Sequence, residues 1–307
     1  MVGLRSRETI RASGQRQSGP AAEAEPAPAA LPPGLYVVAT PIGNLADITL
    51  RALDVLKRAD RVACEDTRVT GKLLAHYGIR APLLRYDDHS SDAARVALIE
   101  RLRAGERIAL VSDAGTPLVS DPGYKLLRAA AAAGVTIIPI PGASAALAAL
   151  QVSALPPDRF LFAGFLPPKS AARRKAIAEL AAVPATLVFY ETGPRLAASL
   201  ADLAAELGPR PAAMARELTK LFEEVRRGTL AELAEHYRDA PTPKGEIALV
   251  VGPPAEEAAD ASDVDALLAR ALQMMSVRDA AASVAEASGQ PKKDVYRRAL
   301  ALAEKKR

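Results

Sequence analysis

The side chains best suited to chemistry sit in short polar loops, each directly after a run of apolar β-forming residues. The clearest is Ser112-Asp113-Ala114-Gly115-Thr116-Pro117, which follows Ile108–Val111. Asp113 can accept hydrogen bonds from a ligand, and Gly115 lets a ligand approach the backbone closely. Four more loops share the arrangement: Thr40-Pro41-Ile42-Gly43-Asn44, Glu65-Asp66-Thr67-Arg68, Asp87-Asp88-His89 and Pro141-Gly142-Ala143-Ser144. In open α/β sheets, ligands bind outside the carboxyl ends of the strands. Parallel strands would put all five loops on one edge, where they form one site. Any one of them alone is also what a helix cap requires. A further loop, Ser120-Asp121-Pro122-Gly123, reads as the cap of the helix that starts near Tyr124.

Strands are expected at Leu35–Ala39, Arg61–Cys64, Pro82–Tyr86, Ile108–Val111 and Val135–Ile140, alternating with helices of ten or so residues. The first helix is expected to be capped near Asp47 and to run to about Ala59. This alternation predicts a mostly parallel sheet covered on both faces. A second set of strands follows at Arg159–Leu166, Ala185–Tyr190, Pro211–Arg216, Phe222–Gly228 and Gly245–Val251, with Thr229 capping a helix to Arg238. The fold class is therefore α/β with two α/β domains, 34–154 and 155–252. Residues 1–33 are rich in Ala, Pro, Arg and Glu and read as a disordered leader or start-site extension. Residues 253–262 read as a linker. Residues 263–307 are helical in pattern, with Ser288-Gly289-Gln290 as the turn of a helix-turn-helix-like pair.

The exclusions are as informative. No G-x-G occurs in the 307 residues, and neither the P-loop nor G-x-S-x-G is present. The dinucleotide fingerprint, the usual nucleotide-triphosphate site and the hydrolase elbow all lose support. One cysteine, Cys64, and three scattered histidines argue against a disulfide or a metal site. The weakly charged run Leu126–Leu150 is broken by Gly134, Pro139, Pro141 and Gly142, so it is not a membrane span. No signal peptide is recognisable, which makes the cytoplasm the default location. The net charge is only +4, so any nucleic-acid signal must be local.

The segments ATPIGNLADITLRAL, ACEDTR, LVSDAGTPLVSDPG, PIPGASAALAAL, FYETGPRL, ARELTKLFEE and KGEIALVV, in this order over about 34–252, resemble the ribosomal small-subunit methyltransferase I family. These are S-adenosylmethionine-dependent enzymes of the tetrapyrrole-methylase (class III) superfamily. The helical C-terminal part is similar to that family's helix-turn-helix extension. One departure is Tyr86-Asp87-Asp88-His89-Ser90, where the family has a His-rich segment. The resemblance implies two α/β domains with the cofactor between them, a homodimer, and methyl transfer to the ribose 2′-oxygen of a cytidine in the decoding region of 16S rRNA. It implies cofactor contacts at Pro41, Asp113, Ala114, Gly115, Thr116, Ser144 and Ala145, with Glu191, Ala215 and Glu246 closing from the second domain.

Methyl transfer from a sulfonium needs no metal and no covalent nucleophile, only in-line alignment and exclusion of water. A ribose hydroxyl is a weak nucleophile, so a base beside it should help. Glu65, Asp66, His89, Glu191 and Glu217 are the candidates, with Asp66 and His89 favoured. The bland alternatives are ion pairs for the carboxylates and a solvated loop for the histidine. RNA phosphates call for local positive charge. Arg68, then Lys169, Arg173, Arg174 and Lys175, then Lys292, Lys293, Arg297 and Arg298 supply it, with Tyr296 available for stacking. A solvated basic face is the alternative. Two other functions compete: a small-molecule methylase, against which the basic tail speaks, and a non-catalytic ribosome-binding protein, against which the intact strand-end loops speak.

Overall fold

The alternation of apolar strands and helices folds into two five-stranded sheets and a separate helical unit. This is seen in the computed structural model, which describes residues 31–87, 90–255 and 261–304. The first sheet comprises β1 (Gly34–Val38), β2 (Arg61–Cys64), β3 (Leu83–Arg85), β4 (Arg107–Val111) and β5 (Ile137–Ile140). All its pairings are parallel, in the order β3-β2-β4-β1-β5. Helices α1 (Leu50–Arg58), α2 (Thr67–His76), α3 (Asp92–Arg103), α4 (Tyr124–Ala132) and α5 (Ala145–Ser153) connect and follow these strands. The sheet is buried on both faces. Tyr36, Val38, Val62 and Val111 pack into one core, while Leu35, Ala63, Ile108 and Leu110 pack into the other. That is why its strands read as continuous apolar runs.

The first helix departs from expectation. Leu45–Asp47 is a single 3-10 turn capped by Asn44, and α1 starts only after Thr49, whose hydroxyl accepts the Ala52 N–H. Asp47 is therefore not its cap. At the other end of the described chain, Leu31 packs against the first core and the Pro32 carbonyl accepts the Tyr36 hydroxyl at 2.5 Å. These two residues, read as leader, belong to the fold; residues 1–30 lie outside the described ones.

The second sheet comprises β6 (Phe160–Phe165), β7 (Thr186–Thr192), β8 (Pro211–Arg216), β9 (Glu224–Thr229) and β10 (Glu246–Val251). Its order is β6-β7-β10-β8-β9, and only β6 and β7 run parallel. Helices α6 (Ser170–Leu180), α7 (Gly193–Leu207) and α8 (Leu230–Asp239) accompany it, and Thr229 closes a full capping box with Glu232. Alternation along the strands sets the two faces. Leu187, Phe189, Met214, Ile247 and Leu249 face α6–α8, while Val188, Ala213, Ala215, Ala248 and Val250 face α5. The buried residues on the α5 side include alanines on both partners, Ala146 and Ala149 on the helix and Ala213, Ala215 and Ala248 on the sheet. Small side chains let this helix, which leaves the first sheet, lie close on the second. That contact holds the two sheets facing across a cleft.

Helices α9 (Ala261–Ala271), α10 (Val277–Ser288) and α11 (Lys292–Glu304) have their own core of Val264, Leu268, Ala281, Val284, Val295 and Ala299. Gly289 ends α10 at φ +66°, a left-handed cap that suits glycine. Residues 256–260 of the expected linker lie outside the described residues. Among the described residues, no helix is long and apolar enough to cross a membrane.

Candidate active site

The exits of β1 and β4 are tied to each other. Thr40 N–H donates to the Gly115 carbonyl at 2.8 Å, and Gly115 N–H returns a bond to the Thr40 carbonyl at 3.0 Å. The two strands are neighbours whose helices leave in opposite directions across the sheet, the arrangement that opens a crevice in an α/β fold. Gly115 turns the loop at φ +77°. The Thr116 hydroxyl then donates to the Ala143 carbonyl at 3.1 Å, fastening the loop to the exit of β5. On the other side, Asp113 Oδ1 accepts the Asp66 N–H at 3.1 Å, fastening it to the exit of β2. Four strand ends thus share one rigid rim.

The cleft above this rim encloses about 280 Å³. From the first sheet, Ile42, Asp113, Ala114, Gly115, Thr116, Ser144 and Ala145 line it. From the second come Phe165, Tyr190, Glu191, Thr192, Ala215, Leu218 and residues 245–248. Every residue expected to touch the cofactor is among the lining residues except Pro41, which is buried beside Ile42.

The expected bases fare differently. Asp66 does not line the cleft. Its carboxylate caps α2 by accepting the Arg68 N–H at 2.8 Å, and it pairs with the Arg68 guanidinium at 2.6 Å. The Arg68 bonds hold its pKa below the usual carboxylate range, the opposite of what a base needs. Asp66 is a cap, and the choice of it as base is corrected. His89 lies outside the described residues. Glu217 pairs with Lys220 at 2.7 Å, which lowers its pKa too. Glu191 is fully buried, accepting the Thr192 N–H at 2.8 Å and the Ser199 hydroxyl at 2.5 Å, with Arg195 at 3.2 Å. Glu246 shares Lys220 with Glu217, at 3.0 Å.

The sequence reading missed Asp121, Phe165 and Tyr190. Within the loop expected to cap α4 it is Gly123 that occupies the N-cap position, at φ +122° and with no side-chain cap bond. Asp121 lines the cleft instead. Burial first, and the nearby carboxylates of Glu65, Asp113 and Glu246, push its pKa up to about 6, against a weaker opposing bond from the Ser112 hydroxyl. The signal was present as a second polar loop after β4, but nothing in the sequence orients it. Phe165 and Tyr190 meet edge to face at 5.6 Å on the opposite wall.

The basic residues divide in two. Lys169, Lys175, Lys292 and Lys293 are exposed, as are Arg68, Arg174 and Arg297, which pair respectively with Asp66, Glu206 and Asp294. Arg173 is 4% exposed and pairs with Asp202 at 2.7 Å. Arg298 forks onto Asp265 with two bonds of 3.0 Å, joining α11 to α9. Buried Arg173 is a structural tie, a correction to its expected contact with RNA, while Arg298 keeps part of its surface exposed beside its tie to α9. Arg173→Ala removes a buried guanidinium and leaves the half-buried Asp202 carboxylate with only the Ser170 hydroxyl, so it should cost about 3 kcal/mol of stability. A lowered melting midpoint with RNA affinity unchanged in a filter-binding titration is the expected result.

Residues 34–234 match the family of Tetrapyrrole (Corrin/Porphyrin) Methylases, and residues 258–303 match the RsmI C-terminal HTH domain. The ribosomal RNA small subunit methyltransferase I of Mesorhizobium japonicum is 54% identical over 273 residues, covering 89% of this chain and 93% of its own. That of Erythrobacter litoralis is 57% identical, covering 89% and 96%. Among solved structures, the uroporphyrin-III C-methyltransferase of Thermus thermophilus complexed with S-adenosylhomocysteine has the same fold, with a TM-score of 0.50, 21% identity and coverage of 71% and 97%. The chain belongs to the tetrapyrrole-methylase family of S-adenosylmethionine-dependent methyltransferases, in its ribosomal RNA small subunit methyltransferase I branch.

Proposed function

We propose that the cleft holds S-adenosylmethionine and that the protein methylates the ribose 2′-oxygen of a cytidine in the decoding region of 16S rRNA. The observation that carries this reading is the convergence of polar strand ends from both sheets on one cleft, in a chain of this family. The lining fits the cofactor chemically. Ile42, Ala145, Ala215, Leu218 and Ala248 offer an apolar wall for a purine, and Gly115 and Gly245 offer open backbone. Asp113 and Glu246 offer acceptors and negative charge. When bound, the cofactor supplies a methyl group on a cationic sulfur. The chain's part is to fix the acceptor oxygen in line with that methyl and to keep water out.

The exposed cations Lys169, Arg174, Lys175, Arg68, Lys292, Lys293 and Arg297 are the RNA-facing groups in this reading. Tyr296, 41% exposed on α11, is available for a base to stack on. A homodimer fits the edge strand β6, which leaves Phe160 and Leu161 exposed. A ribosomal substrate fits a cytoplasmic location.

The deciding experiment supplies labelled S-adenosylmethionine and undermethylated small ribosomal subunits. The reading requires label in 16S rRNA, recovered as 2′-O-methylcytidine after nuclease digestion; unlabelled rRNA would sink it. Removing two phosphate contacts with Lys292→Ala and Lys293→Ala should flatten the salt dependence of RNA binding by about 1 to 2 in log–log slope. Cofactor affinity in the same variant should stay at the wild-type value.

A further inference from the structure

We infer that Asp121 is the group that accepts the proton of the attacking ribose hydroxyl, and so is a catalytic residue of the methyl transfer. This rests on the reading of the cleft given above. The first argument is occupancy. Of the carboxylates expected or found at the cleft, Asp66 caps α2, Asp113 holds the Asp66 amide, and Glu191 is enclosed by Ser199, Arg195 and the Thr192 N–H. Glu217 and Glu246 share Lys220. Asp121 is half-buried in the lining and faces the Ser112 hydroxyl; unlike Asp113 it holds no backbone N–H, and unlike Glu191 and Glu246 it has no ion pair among the described residues.

The second argument is how it is held. Leu118 at φ +76° and Ser120 at φ +65° both take a left-handed backbone that ordinary residues avoid, and Gly123 follows at +122°. A loop carrying this strain persists where its surroundings over-determine it, as at ligand sites. Those surroundings are visible. Strand β6 has a bulge between Phe162 and Gly164. A Cβ on Gly164 would lie 3.2 Å from Ser120 Oγ, so the bare backbone there admits the loop. Phe165, next to Gly164, and Asp121, next to Ser120, both line the cleft, so an aromatic ring and a base border the space an acceptor nucleotide would enter.

The step balances without a further reagent. The hydroxyl proton passes to Asp121 Oδ as the oxygen bonds to the methyl carbon. The carbon–sulfur bond breaks with its electron pair left on sulfur, and the carboxyl returns its proton to water when products leave. A base works best with a pKa close to the working pH. Every element packed around Asp121 adds negative or neutral polarity: Ser112 and Asp113 after β4, Glu65 after β2, Glu246 on β10 with Lys220 partly offsetting it, and Tyr190 on β7. Burial in this company raises the carboxyl to about 6, so it is mostly ionised at pH 7 yet far more basic than a free aspartate.

The test uses the full chain with Asp121→Asn and Asp121→Glu. In single turnovers on undermethylated small subunits at saturating S-adenosylmethionine, the Asn variant should be about 100- to 1,000-fold slower at pH 7, and the Glu variant should recover part of the rate. Calorimetric affinity for S-adenosylhomocysteine should change less than about threefold, because its sulfur is neutral. A second readout needs no substrate. The folded carboxyl has a higher pKa than the unfolded one, so its stabilising effect is complete at low pH and is lost as pH rises through about 6. The wild-type melting midpoint should therefore fall relative to Asp121→Asn between pH 4 and 7. A rate within threefold of wild type overturns the inference. So does a rate that stays normal at saturation while S-adenosylmethionine binding weakens, since that marks a counter-ion for the sulfonium. Wild-type protein that leaves rRNA unlabelled sinks the rRNA reading instead. In that event, coincident melting curves across the pH range would overturn the Asp121 inference as well.

Discussion

Gly193→Ala is expected to lower the melting midpoint by roughly 6–12 °C, the consequence of losing about 3 kcal/mol in a chain of this size. Gly193 is the first residue of α7, directly after β7. A Cβ there would lie 1.7 Å from the Pro243 carbonyl oxygen and 2.9 Å from its carbon. Both are backbone atoms, so no side-chain rotation relieves the overlap, and one of the two segments must move. Pro243 leads into Gly245 and Glu246, while Gly193 follows Glu191 and Thr192, so the displaced segments are two edges of the cleft. Cofactor binding should weaken with stability. Scanning calorimetry with and without S-adenosylhomocysteine checks both effects; an unchanged midpoint would mean that the close approach of α7 to the loop before β10 is wrong.

Gly115→Val should abolish cofactor binding at ordinary concentrations, weakening it on the order of 100-fold, or about 2.7 kcal/mol. Valine is among the residues least able to adopt φ +77°. Its Cβ would sit 3.3 Å from Ile42 Cγ2, and both residues line the cleft. The loop would have to release the paired bonds between Thr40 and Gly115, which hold the exits of β1 and β4 together. The core strands do not depend on that bridge, so the protein should remain folded. Equilibrium binding by calorimetry, with circular dichroism as a control for folding, separates a lost site from a lost fold. Wild-type affinity in a folded variant would rule out the Gly115 loop as the cofactor floor.

Much of this was legible in the chain itself. The apolar runs, their polar ends and the missing G-x-G determined the fold class, the parallel first sheet and the edge on which the site lies. These are local properties, since a strand buried on both faces must be apolar along its whole length, and its ligand-facing end must be polar. The ordered motifs determined the family. Periodicity alone located the second sheet and its capped helix at Thr229. The helix after β1 was misplaced by a few residues because Asn44, Asp47 and Thr49 are all plausible caps, and only the 3-10 turn of Leu45–Asp47 selects among them.

The tertiary structure decided which charges are free to act. Asp66 and Asp121 are the same residue type in similar loops, and no pattern in the sequence ranks one above the other. Asp66 is spent on Arg68 and on a helix end, which depress its pKa, whereas the strained turn through Ser120 carries Asp121 into the cleft, where burial first and then nearby like charges raise it. Arg173 and Lys175 stand two positions apart on one helix, yet one is buried against Asp202 and the other faces solvent. Composition counts both as positive charge, but a charge can act on a ligand only if folding leaves it exposed and within reach, and for Arg173 a partner distant in sequence, Asp202, decides that. The Ser112–Pro117 loop could be picked out by its residue types. The same fold also set the proton acceptor inferred here nine residues away from Ser112, on the turn through Asp121.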